Sequence, residues 1–166
     1  DTAGEDMFRA AATLLKSAKK KRYTFDLYAR GVETVVADKN LGLKKGMFRL
    51  AELDYNSQIK LENDLPHISR HIGPLDHIYI LRVFPFEDIQ HLQALLDKKA
   101  FVSVVFFNPE SYASEGEKDT YAPMMDVYNQ QILQLAQMGI SAHLYSRGSS
   151  LSKMLAFKRR VGSARV

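Results

Sequence analysis

The chain contains no cysteine among its 166 residues. That excludes disulfides, thiolate metal sites and cysteine nucleophiles together. No apolar run approaches the ~20 residues that a membrane-spanning helix needs. The opening residues, Asp-Thr-Ala-Gly-Glu-Asp, are polar and acidic, unlike a signal peptide. Position 1 is not methionine, so the chain is expected to be a piece of a longer protein, and the lack of cysteine fits a cytoplasmic setting. The excess of one charge over the other is also small, with 23 Lys and Arg against 19 Asp and Glu. The net charge of +4 leans toward acidic partners without establishing nucleic-acid binding. What remains is 46% hydrophobic and 25% charged, the mix of a globular chain. The length suits one domain with a real core, read here as a single α/β domain over 1–166.

The residues then fall into a sequence of short elements. Residues 7–20 carry Met7, Ala10, Ala11, Leu14, Leu15 and Ala18 at helical spacing, with Asp6 positioned to cap the start. Residues 23–29 alternate as a strand, Gly31 turns the chain, and 32–37 read as the returning partner of an antiparallel hairpin. Residues 38–46 read as a loop, followed by helices over 47–55 and 63–72, the second started by Pro66. A repeated rhythm follows: strand 78–84, helix 87–99, strand 101–107, polar loop 110–120, helix 124–138, strand 140–145 and helix 149–160. Short apolar strands separated by single helices indicate parallel strands covered on both faces. The expected fold is therefore α/β: a Rossmann-like three-layer sandwich with a mostly parallel sheet, helices on both faces and the N-terminal hairpin.

No complete catalytic motif is present. Asp1 to Glu5 has the DxxG outline of a small GTPase, but the phosphate loop that must accompany it is missing. His67 and His71, four apart on an expected helix, have the spacing of a two-histidine zinc site. Ile68 stands where the glutamate of HExxH belongs, and Asp64 or Asp76 could supply a third ligand. Two partly exposed histidines near a helix end explain the pattern more simply. His77, His91 and His143 have no serine or carboxylate at a spacing that suggests a triad. The basic groups 16–22 and Lys153, Lys158, Arg159 and Arg160 suit solvated helix ends. The second group also gives a nucleic-acid reading, through phosphate contacts.

Topology supplies the stronger candidate. Ligands of open parallel sheets bind beyond the carboxyl ends of the strands. Here that rim would hold Glu87, Asp88, Asn108, Glu110, Ser111, Arg147, Ser149 and Ser150. Their oxygens suit Mg²⁺ or Ca²⁺, and the start of the last helix could receive an anion. Asp88, Ser111 and Ser149 or Ser150 also have a plain use as helix caps and turn residues.

The order of elements resembles a known family. The Ala-rich helix over 8–18, the strand Tyr-Thr-Phe-Asp-Leu-Tyr-Ala-Arg-Gly over 23–31, the helix around 47–53, the apolar strand 101–107, the helix end Gln-Leu-Ala-Gln-Met-Gly over 134–139 and the strand 140–145 carry the likeness. Together they resemble the C-terminal half of the domain of unknown function 58 proteins, which are von Willebrand factor A-like and often accompany MoxR-type ATPases. The resemblance implies a non-enzymatic protein-interaction module with a MoxR-type ATPase as a partner. It also places Asp1 at the first position of the Asp-x-Ser-x-Ser metal motif, with Ala3 and Glu5 at the two serine positions. A metal- or nucleotide-dependent enzyme using the same rim is the alternative expectation.

Overall fold

The computed structural model describes residues 2–30, 35–38, 42–52 and 61–155. The first helix, α1 (Ala3–Lys20), is opened by Thr2 rather than by the expected Asp6. The Glu5 N–H donates to Thr2 Oγ1 at 3.2 Å, and the Thr2 N–H donates to Glu5 Oε2 at 2.8 Å. This reciprocal pair satisfies two donors that a helix start otherwise leaves unpaired. Asp6 is freed for another task and is buried. At the far end the Tyr23 N–H returns to Ala18 O at 2.9 Å, and Arg22 adopts φ 59°, closing the helix.

That closure corrects the expected strand over 23–29. Tyr23 spends its N–H on α1, and the ladder begins only at β1 (Leu27–Arg30), antiparallel to β2 (Val35–Asp38). The expected loop over 38–46 also needs correction, because α2 spans Leu43–Glu52. Gly46 is not a turn residue but a point of close approach. A Cβ there would meet Leu15 Cδ1 at 3.1 Å and Phe25 Cε2 at 3.3 Å, so its absence lets α2 lie against α1. The helix expected over 63–72 is a 3₁₀ turn, Leu61–Asn63, followed by α3 (Leu65–Ser69) with Pro66 in its first turn.

The second half holds the sheet. β3 (His77–Arg82), β4 (Phe101–Phe107) and β5 (Ser141–Tyr145) are all parallel, in the order β3-β4-β5. Ile80 pairs with Val104, and Val104 with Ala142. The apolar run 101–107 is thus the central strand, at the expected limits, and Val104 to Phe107 are fully buried. The connections are shorter than expected. The helix expected over 87–99 is a 3₁₀ turn, Ile89–Leu92, and one turn of α4 (Gln93–Leu96). The expected loop over 110–120 contains a 3₁₀ turn, Pro109–Tyr112, and the start of α5 (Lys118–Gln137). Gly139, at φ 83°, ends that crossover. The last described helix, α6, is Leu151–Met154, and the rest of the expected helix lies outside the described residues.

Strand alternation divides the core in two. Ile80, Val102, Val104 and Phe106 pack with Phe86, Leu92, Leu95, Tyr128 and Leu135, under α4 and α5. Val105, Phe107 and Tyr145 pack with Ala3, Ala10 and Leu155, under α1 and α6. No helix among the described residues is long and apolar enough to cross a membrane.

Candidate functional site

Parallel strands end together, so their carboxyl ends form one rim. Its turns lie in strand order: 83–88 after β3, 108–112 after β4 and 146–150 after β5. Two strand spacings make the rim about 10 Å wide at its base. The expected residues Glu87, Asp88, Asn108, Glu110, Ser111, Arg147, Ser149 and Ser150 all fall on these turns or beside them.

The first turn is held from beneath by long side chains. Arg82 donates to Phe84 O at 2.8 Å and to Pro85 O at 3.0 Å. Its guanidinium lies 3.9 Å from the centre of the Phe86 ring and 3.3 Å from Glu62 Oε2. Burial pushes the Arg82 pKa down, against the pull of the Glu62 carboxylate. Glu62 also accepts the Glu87 N–H at 3.1 Å. From α5, Tyr128 donates to Val83 O at 2.5 Å. Gln131 holds both sides of Phe86, accepting its N–H at 2.9 Å and donating to its carbonyl at 2.6 Å. A turn that would otherwise bury unpaired peptide groups is satisfied by four side chains. The same turn leaves Phe84 60% exposed.

The second turn is built locally. Asn108 is buried, and its side chain accepts the Glu110 N–H at 3.0 Å. Ser111 Oγ donates to Asn108 O at 2.8 Å and accepts the Arg147 N–H at 2.9 Å, joining the β4 and β5 turns. The Arg147 guanidinium stands 5.8 Å from the Tyr112 ring centre. Tyr112 OH donates to Asp6 Oδ2, and Arg9 meets Asp6 Oδ1 at 2.7 Å. Burial pushes the Asp6 carboxyl up, but the hydrogen bonds of Tyr112, Arg9 and Tyr145 together outweigh it and hold the pKa low. The Tyr112 hydroxyl moves the other way, raised by burial and by the Asp6 carboxylate.

Several expected ligand groups are therefore already engaged. Asn108 and Ser111 form the turn, and Asp88 accepts the Gln90 N–H at 2.9 Å as a cap. Ser150 meets Ser152 at 3.0 Å, and Ser149 donates its N–H to Ser146 O. Glu87 and Arg147 face solvent. His67 and His71 do come together, edge to face at 5.3 Å, but no group of three possible metal ligands exists among the described residues. Asp76 accepts the Gly73 N–H at 2.8 Å in a turn. Asp1, Lys158, Arg159 and Arg160 lie outside the described residues, as does the side chain of Lys153.

One cluster leaves no signal in residue spacing along the chain. His77 Nε2 lies 3.1 Å from Ser103 Oγ, and His143 Nε2 lies 3.2 Å from Ser141 Oγ. Ser103 and Ser141 are register partners, so the four residues cross one face of the sheet, toward its amino end. Strand parity would have found them, since these positions alternate with the α5-facing core. Burial lowers the His77 pKa.

The chain matches no family model, no curated protein and no solved structure.

Proposed function

We propose that the chain is a non-enzymatic, von Willebrand A-like interaction module that presents the carboxyl rim of its parallel sheet to another protein. The Rossmann-like three-layer reading belongs to the same proposal. It draws on α1 against one face and α5 against the other. A MoxR-type ATPase is the partner that the sequence resemblance implies.

One observation carries the reading. The turn 83–88 is fixed by Glu62, Arg82, Tyr128 and Gln131, yet it holds Phe84 out in water. A large apolar side chain exposed on a rigid turn costs little ordering on association, which is what makes an anchor effective. Beyond Phe84 the rim offers acidic Glu87 and Asp88 and, across the sheet, Arg147. Aromatic and arginine side chains dominate binding energy at protein interfaces.

The test is titration of a purified MoxR-type ATPase with the wild-type chain and with Phe84→Ala, Glu110→Ala and Arg147→Ala. Loss of Phe84 should weaken binding by about tenfold or more, the size of a hot-spot truncation. Full-strength binding by all three variants would move the surface elsewhere. A thermal shift with Mg²⁺, Ca²⁺, ATP or GTP that disappears in rim variants would instead favour a ligand-dependent enzyme, because a ligand that binds the folded state raises its melting temperature.

A further inference from the structure

The rim leaves unused the basic run at the end of α1. α1 starts at the rim, where Asp6 meets Tyr112. Its 18 residues carry the chain about 27 Å, so Lys19 to Arg22 stand near the opposite end of the sheet. There α2 lies against α1 through Gly46, with Leu50 buried. Turning those residues inward turns Lys44, Lys45 and Phe48 outward. The result is an open groove of about 510 Å³ lined by Lys19, Gly42, Leu43, Lys44, Lys45 and Phe48. Phe48 is 63% exposed in it.

We propose that this groove binds an acidic segment of a partner protein that carries an apolar anchor residue. Three observations select that occupant. The charged lining residues are all lysines, so carboxylates are the complementary groups. The apolar lining, Leu43 and Phe48, gives an aliphatic side chain a surface to cover. Phe48 is the only large apolar side chain exposed among these six residues, which suits a single anchor residue better than insertion into a membrane, whose strength scales with apolar area. Carboxylates on the segment would reach Lys19, Lys44 and Lys45 while its anchor covers Phe48. The site is separate from the rim, and neither reading depends on the other.

Fluorescence anisotropy with the full chain tests it, using a short labelled peptide that alternates glutamate with leucine. Saturable binding is expected, falling as salt screens the charges. Lys44→Glu with Lys45→Glu should weaken it by about tenfold or more, given the charge reversal. Phe48→Ser should also weaken it severalfold, and Arg147→Ala should leave it unchanged. All these positions are exposed, and melting temperatures should show that the variants remain folded. Three results would overturn the proposal: equal binding of a peptide with glutamine for glutamate, no effect of Phe48→Ser, or binding to phosphatidylserine vesicles without binding to the peptide.

Discussion

Two neighbouring turns of one rim are built by opposite means. The turn 108–112 is made almost entirely from its own residues, with Asn108 capping Glu110 and Ser111 reaching back to Asn108. The turn 83–88 caps little of itself. Adjacent Arg82 holds two of its carbonyls, and the other peptide groups are claimed by Glu62, 25 residues before Glu87, and by Tyr128 and Gln131, each 45 residues from its partner. The difference teaches where rigidity comes from. Short polar side chains fix a turn cheaply when its own backbone bends toward them. A turn that must present a bulky residue such as Phe84 to solvent needs support from the layers beneath.

Breaking the remote support should cost more than breaking the local one. Arg82→Met leaves the Glu62 carboxylate buried without its cation, and about 3–5 kcal/mol of stability should go, the cost of half a buried ion pair. Urea unfolding measures it, and adding Glu62→Gln should recover part of the loss. Gln131→Leu strands both the N–H and the carbonyl of Phe86 and should cost about 2–6 kcal/mol, at about 1–3 for each unsatisfied group. Asn108→Ala in the local turn should cost only about 1 kcal/mol, the usual worth of a cap. If Asn108→Ala proved as damaging as Gln131→Leu, the distinction between the turns would fail.

Asp6 gives the smallest and most conditional effect. Its folded pKa is held below the ordinary carboxylate range by Tyr112, Arg9 and Tyr145 against the push of burial. A depressed folded pKa stabilises above the unfolded value, and the gain is lost as pH falls through the folded one. Asp6→Asn should therefore flatten the acid limb of the stability profile and leave its shape at higher pH unchanged. Chemical unfolding at stepped pH reads this directly.

The same contrast governs what the sequence could reveal. The limits of β4 are legible because a seven-residue apolar run between Ala100 and Asn108-Pro109 allows little else. Asp88 reads as a cap because capping is local chemistry. Glu62 and Gln131 carry no such signal. Each looks like an ordinary polar residue until β3, α5 and the chain before α3 come together. Gly46 misled in the other direction, since a glycine required by helix contact is spelled like one required by a turn. His77 and His143 carry no triad spacing: Ser103 is 26 residues from His77, and Ser141 meets His143 only because residues two apart share a strand face.

The remote holding of the turn 83–88 has a consequence in time. The bonds to the Phe86 peptide join segments 45 residues apart, so they can close only once α5 has docked over the sheet. Contacts that form after the folding barrier leave the refolding rate nearly untouched and quicken unfolding when removed. Stopped-flow traces of Gln131→Leu should show that asymmetry. With that asymmetry, Phe84 would reach its final pose late in folding, and a half-finished chain would not yet offer it to a partner.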